Sequence, residues 1–304
     1  MSAEYELIPS MARPHPSWLE TASLTVLAMV AFASNSILTR MALGPHLIDA
    51  ATFTLVRLFA GALVLGVLAR LQTGAWTWLV GKGVSGPLAL FVYAAPFSFA
   101  YLRIGAAAGA LVLFGVVQLT MVGWGVVRGE RPRLRAWAGI ALAVGGLVAL
   151  TLPSAGRPDP LGVALMAVAG VAWGVYSLWG KQARDPLAAN ARNFLWSLPL
   201  AAVLFLVFPR TIEGSYGLIL AVTSGALTSG VGYAIWYRAL RGLTSIRAAV
   251  VQLSVPVIAG LGAIVLLDER LGSTFLISGL FILGGIALVL SERVLRTDSA
   301  PTRP

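Results

Sequence analysis

Val171-Ala172-Trp173-Gly174-Val175-Tyr176-Ser177 repeats a stretch the chain has already spelled, Val30-Ala31-Phe32-Ala33-Ser34-Asn35-Ser36. At the same offset of about 140 residues, Arg40 meets Lys181, Ala42 meets Ala183, Pro45 meets Pro186 and Phe53 meets Phe194. The pairing runs on through Ala60/Ala201 and Leu63/Leu204. Chance matching of Ala, Val and Leu is cheap in an apolar chain. A Pro, a Phe and a basic residue in one register are not, so the sequence reads as an internal duplication.

The surroundings of the repeat decide its solvent. Of 304 residues 58% are hydrophobic and only 11% charged, with a mean hydropathy of +0.85. Soluble domains carry about 25% charged residues; this chain needs lipid around it. The absence of cysteine excludes disulfides and thiolate metal sites. A net charge of +10 would suggest nucleic acid in a soluble chain; here it fits loops facing an anionic leaflet. Residues 1–18 are polar, with Pro9, Pro14 and Pro16, and read as a disordered tail. Ala31-Phe32-Ala33 mimics a signal-peptidase site, but the lead is not clearly basic and the apolar run continues past it.

A membrane-crossing helix takes about 20 mostly apolar residues. Ten runs qualify, at about 21–43, 48–69, 86–103, 107–127, 135–152, 160–180, 187–208, 215–239, 244–267 and 273–291. They must be helices, because an open strand leaves its backbone unpaired in hydrocarbon. With ten crossings both ends share a face. That face takes Arg13, Arg70, Lys82, Arg128, Arg131, Arg133, Arg135, Lys181, Arg184, Arg238, Arg241, Arg293, Arg296 and Arg303; the other takes Arg40, Arg103, Arg157, Arg210 and Arg270. The bias of nearly three to one predicts cytoplasmic termini. Each copy of the duplication holds five helices, an odd number, so the second copy enters the membrane upside down. The expected organisation is a tail over 1–18, a five-helix repeat over 19–152, its inverted copy over 153–293 and a second cytoplasmic tail over 294–304. The fold class is all-α, ten transmembrane helices in two inverted five-helix repeats, an architecture that places a substrate near the midplane.

The end of each half supports the pairing. Arg128-Gly129-Glu130-Arg131 precedes a helix with Gly145-Gly146, and Leu267-Asp268-Glu269-Arg270 precedes one with Gly284-Gly285. In each, the Glu favours the positive start of the helix that follows; a gating role is the other reading. Paired five-helix halves, Arg57 inside the second helix and a Glu-Arg turn between the fourth and fifth helices of each half resemble the EamA family of the drug/metabolite transporter superfamily. The stretch from Tyr237 to Glu269, with Pro256 before the turn, is similar to the family's second repeat. Within the family the chain resembles the YddG-type aromatic amino-acid exporters. The resemblance implies export of amino acids or similar metabolites across a bacterial inner membrane. One departure stands out: the first half has Val117 where the second has Pro256.

Interrupted spans at matching places point to a substrate site. The third span carries Pro96 in its middle; its counterpart, the eighth, carries Ser224-Gly225 and Thr228-Ser229-Gly230. Pro256 interrupts the ninth. Tyr93 and Phe97 share one helix face, as do Tyr233 and Trp236, and Trp173, Tyr176 and Ser177. These aromatics line a cavity or pack in a core. Trp18, Trp76, Trp78 and Trp137, near helix ends, read as interfacial belts. The mid-span polar residues Asn35, Ser36, Gln118 and Gln252 bond between helices or face the cavity. Arg57 is the one clear intramembrane ion, either structural or a charge partner for substrate.

No Asp or Glu sits in mid-span, so a site for alternating proton and cation binding is not visible. Aromatics, amides and hydroxyls without an acid suit a neutral or zwitterionic substrate, its ring on Trp or Tyr and its carboxylate at a broken helix's N-terminal end. The alternative is an organophosphate or nucleotide-sugar carrier, which needs several cations in one cavity; Arg57, Lys181 and Arg247 are the candidates. An enzyme is not expected, since His15 lies in the tail and His46 in a loop, with no nucleophile and base together. The reading expects a central cavity, a small-molecule substrate, a lipid bilayer, a monomer, no nucleic acid, no cofactor and no metal.

Overall fold

Side-chain caps fix where the helices begin. Ser17 Oγ accepts from Glu20 N at 3.1 Å, Asp49 Oδ1 from Thr52 N at 2.8 Å, Asp159 Oδ1 from Gly162 N at 2.7 Å, and Asp185 Oδ1 from Leu187 N and Ala188 N. Pro160 and Pro186 each occupy a first helical position, where the missing N–H costs nothing. The computed structural model describes residues 17–74, 76, 79, 83–104, 106–152, 159–267 and 273–292. The expectations for the two tails, for Trp78, Lys82 and Arg157, and for the Asp268-Glu269-Arg270 turn lie outside the described residues.

The first half comprises α1 (Trp18–Leu43), α2 (Ala50–Thr73), α3 (Ser85–Tyr101), α4 (Ala106–Val127) and α5 (Leu134–Thr151). The second comprises α6 (Pro160–Lys181), α7 (Pro186–Val207), α8 (Gly214–Thr223) running through a π-helical segment (Ser224–Val231) into α9 (Gly232–Leu240), then α10 (Ser245–Val251), α11 (Ser254–Leu267) and α12 (Ser273–Ser291). These are the ten expected spans, each met to within one helical turn. Nine are long and apolar enough to cross a membrane among the described residues; the tenth, α3, has 17 residues. Large apolar side chains such as Leu63, Leu119, Val127, Val203 and Leu280 face outward, where hydrocarbon accepts them and water would not.

Two expectations about interrupted spans need correction. The eighth span is not broken: its backbone stays helical through the π segment, so it offers no free N-terminal end for a carboxylate. Ser224-Gly225 and Thr228-Ser229-Gly230 widen the helix instead of ending it. Gly225 is needed there because a Cβ would collide with the carbonyl of Arg57. The ninth span is broken, but at Gln252-Leu253; Pro256 lies in the first turn of α11, where its missing donor is harmless. Val117 stays inside an unbroken α4, so the fourth and ninth spans differ, but at Gln252-Leu253 and not at the Val117/Pro256 position.

The packing pattern obeys the exchange of halves. α2 packs on its mate α7, and α5 on α12. α3 packs on α6 while its mate, the α8 span, packs on α1; α4 packs on α6 while its mate, α10–α11, packs on α1. An inverted pair related by an axis in the membrane plane requires this reciprocity. Small residues set the close approaches: Gly139 and Gly285 abut across α5 and α12, where a Cβ on Gly285 would stand 2.5 Å from the Gly139 carbonyl. Gly170 and Gly174 admit Val116 and Thr120 of α4 to α6, the packing role expected of them.

On the face away from Ser17 and Glu292 the halves are clasped. Asp49 N donates to Thr211 O at 2.9 Å and Glu213 N to Leu47 O at 2.8 Å. Thr211 N donates to Asp49 Oδ2 at 2.9 Å, and Ile48 and Ile212 form an antiparallel bridge.

Candidate functional site

α2 delivers Arg57 to the boundary between the halves, where it is 1% exposed. Its Nε donates to Ser229 Oγ at 2.8 Å, and its Nη2 to Tyr233 OH at 2.8 Å and Tyr93 OH at 3.3 Å. The guanidinium carbon lies 5.5 Å from the Tyr93 ring centre and 5.6 Å from that of Phe97. Nη1 is buried without a partner. Neither ion pair recorded among the described residues involves Arg57. Uncharged hydroxyls and ring faces therefore carry a cation that would ordinarily demand a carboxylate.

The aromatic residues expected from the sequence gather beside it. Trp173 and Tyr233 lie 4.8 Å apart by ring centres, Trp173 and Tyr93 4.9 Å, Tyr93 and Phe97 5.4 Å, and Trp173 and Tyr176 6.0 Å. Their polar edges are tied down. Trp173 Nε1 donates to Gln252 Oε1 at 2.7 Å, Tyr176 OH to Asn190 Oδ1 at 2.7 Å, and Trp236 Nε1 to Ser177 Oγ at 3.2 Å. Asn35 Oδ1 accepts from Ser224 Oγ at 2.7 Å and Thr228 Oγ1 at 3.2 Å. Gln118 Nε2 donates to Ala249 O at 2.6 Å, while its Oε1 is buried without a partner. Gln252 also donates to Ala248 O, at the break between α10 and α11.

Thus Arg57, Asn35, Tyr93, Phe97, Gln118, Trp173, Tyr176, Ser177, Tyr233, Trp236 and Gln252 are all buried, on helices from both halves. Ser36 is half-buried, with its hydroxyl turned back to the Phe32 carbonyl at 3.3 Å. Trp236 and Tyr237 are core residues, whereas Trp18, Trp76 and Trp137 are exposed as belt residues are. Lys181 closes α6 at the face of Ser17 and Glu292. Arg247 reaches away, to the carbonyls of Leu290 and Glu292. Of the three cations considered, only Arg57 belongs to the cluster.

The expected open cavity is not what the rings enclose. Phe32 enters edge-on between Trp173, Tyr233 and Trp236, at 5.2, 5.7 and 5.7 Å, and fills the space. The largest cavity described, about 810 Å³, lies between α1, α11 and α12 and is lined by Met29, Val257, Leu261 and Leu283, away from the expected residues. A smaller one, about 240 Å³, reaches Tyr176 and Tyr237 from the face of Ser17 and Glu292.

Phe32 and Asn190 lie outside the expected site residues, and Ser224, Thr228 and Ser229, expected as helix breakers, contribute side-chain hydrogen bonds instead. Asn190 sits one turn into α7, where polar residues are expected near a cap; its spacing to Asn193 on one face was the available signal. Glu130 also surprises. Its carboxylate accepts from Ser245 N at 2.6 Å and Ile246 N at 3.1 Å, so it caps α10 of the other half and not the helix that follows it.

The model of the EamA-like transporter family matches residues 160–291, from the first residue of α6 to the last of α12. An uncharacterized protein of Pseudomonas aeruginosa is 51% identical over 276 residues, 90% of this chain and 96% of its own. A protein of Escherichia coli named a probable amino-acid metabolite efflux pump is 28% identical over 228 residues, 67% of this chain and 75% of its own. A solved crystal structure superposes with a TM-score of 0.76 at 22% identity, over 90% of this chain and 99% of that one; it shares the fold.

Proposed function

The chain belongs to the EamA-like transporter family, and from that premise we propose that it exports amino acids, aromatic or otherwise neutral or zwitterionic, by alternating access. The proposed setting is a bacterial inner membrane with both chain ends in the cytoplasm. The observation that carries the reading is Arg57: a buried cation between the halves, among aromatic rings, with one donor unused and no acid beside it. A zwitterion's carboxylate supplies the missing charge, and the rings of Trp173, Tyr93 and Tyr233 accept its side chain. The name of the Escherichia coli relative points the same way. Both halves contribute, Arg57 from one and Ser229 and Tyr233 from the other, so rocking one against the other opens the cluster to either face in turn. A single buried cation favours a carboxylate over a diphosphate, whose extra charges would find no partners.

The test is efflux from proteoliposomes loaded with single amino acids, with and without an imposed pH gradient. Expected is efflux of aromatic amino acids that Arg57→Gln abolishes. Efflux of sugar phosphates with none of amino acids overturns the reading.

A further inference from the structure

The 240 Å³ cavity on the face of Ser17 and Glu292 has a composition unlike the rest of the interior. Ser85, Gln182, Arg192 and Asn193 line it, and the rings of Tyr176 and Tyr237 form its floor. Arg192 is its one charged lining residue, and Arg192 Nε is buried without a hydrogen-bond partner. The surrounding charges are basic. Arg241 Nη2 donates to the carbonyls of Ala183 and Arg184 at the rim, and Lys181 and Arg184 belong to the same turn. The nearby acid, Asp185, is engaged at the start of α7, where its Oδ1 accepts from Leu187 N and Ala188 N. A polar recess lined by one guanidinium group and rimmed by basic residues selects an anionic oxygen group. Its volume is that of a small metabolite and falls short of the larger clefts that hold drug-sized ligands.

The floor leads onward. Tyr237 OH donates to the Tyr176 carbonyl at 3.1 Å, and the two rings are 5.3 Å apart. Tyr176 in turn stands 6.3 Å from Tyr233, which holds Arg57. Tyr176 and Tyr237, with Tyr233 behind them, therefore stand between the recess and the central cation. Gly180 makes that layer possible, since a Cβ there would occupy the Tyr237 ring.

We propose that this recess is a first docking site on the cytoplasmic side, in which Arg192 binds the carboxylate of a zwitterionic metabolite before the Tyr176–Tyr237 floor parts and passes it to Arg57. The proposal rests on the export reading for its ligand class, and its test separates the two. The chain has no cysteine, so Ala189→Cys, in the recess wall, gives one thiol whose maleimide labelling reports occupancy in the purified full chain. L-phenylalanine slows the labelling and L-phenylalaninamide, which lacks the carboxylate, does not. Adding Arg192→Gln removes the protection, and Arg192→Lys retains part of it. In proteoliposomes Arg192→Gln raises the half-saturating phenylalanine concentration on the recess side about tenfold or more, the loss expected of one charge-assisted hydrogen bond. Protection without efflux leaves the docking site standing and removes the export function. Absent protection, or equal protection by the amide, overturns the docking site whether or not efflux occurs.

Discussion

Arg57 concentrates the argument at the scale of a single residue. A structural arginine and a substrate-binding one make opposite demands on stability. Arg57 has no acid partner among the described residues, so an apolar side chain of similar volume there strands no opposite charge and removes a cation that is costly to bury. Arg57→Met is therefore expected to keep or raise the thermal midpoint in detergent while abolishing efflux. A midpoint that falls together with transport identifies a structural role. Trp173→Phe tests the neighbouring layer. It keeps a ring but leaves Gln252 Oε1 buried and unpaired, a cost of about 1–3 kcal/mol, read as a lower midpoint that Trp173→Phe with Gln252→Leu restores. The aromatic part of the cluster was legible because helical spacing put Tyr93 with Phe97 and Tyr233 with Trp236 on shared faces. Ser229 was not, since nothing in the chain pairs it with Arg57, 172 positions away; Asn190 meets Tyr176 across only 14 positions, but on a neighbouring helix whose rotation the local sequence does not give.

At the scale of elements, the Glu130 turn shows what local reading supplies and what it misses. The chemistry, a carboxylate on helix-start amides, follows from the residue type. The address does not, because Glu130 serves α10 of the other half. α10 is a seven-residue helix, too short to persist without tertiary support. Glu130→Ala removes two accepted bonds and is expected to cost about 1–2 kcal/mol. Hydrogen exchange at Ser245 and Ile246 then accelerates while α12 and α5 are unaffected; uniform acceleration across the chain counts against a local cap. The π segment was equally hidden. Gly and Ser in mid-span signal an interruption, yet a widened turn satisfies the backbone within hydrocarbon where a break exposes it.

The whole molecule is two copies of one plan, and the duplication with its odd helix count was enough to derive it. The register is another matter. The caps Asp49 and Asp185 are 136 residues apart, against 141 for Val30 and Val171, so the helix starts do not keep the register of the repeat, and the turns before them, residues 44–49 and 182–185, account for only two of the five residues. The seams between halves are where the fold is brittle. Gly139 and Gly285 touch backbone to backbone, so Gly285→Leu is expected to abolish monodisperse protein, measured by size-exclusion chromatography, whereas Leu280→Ala on the outward face leaves it intact.

The clasp of Leu47, Asp49, Thr211 and Glu213 has a bearing on what the membrane loses when no cargo is present. Three hydrogen bonds, each worth about 0.5–1.5 kcal/mol, hold the halves together on that face, and Phe32 fills the aromatic cluster between them. In the proposed export cycle the unloaded state is closed twice, by the clasp and by Phe32. The clasp is worth only a few kcal/mol, so in that proposed cycle a bound molecule that displaces Phe32 opens it on the microsecond-to-millisecond scale of domain motions. The proposed closed rest and quick release thus depend on the same weak clasp.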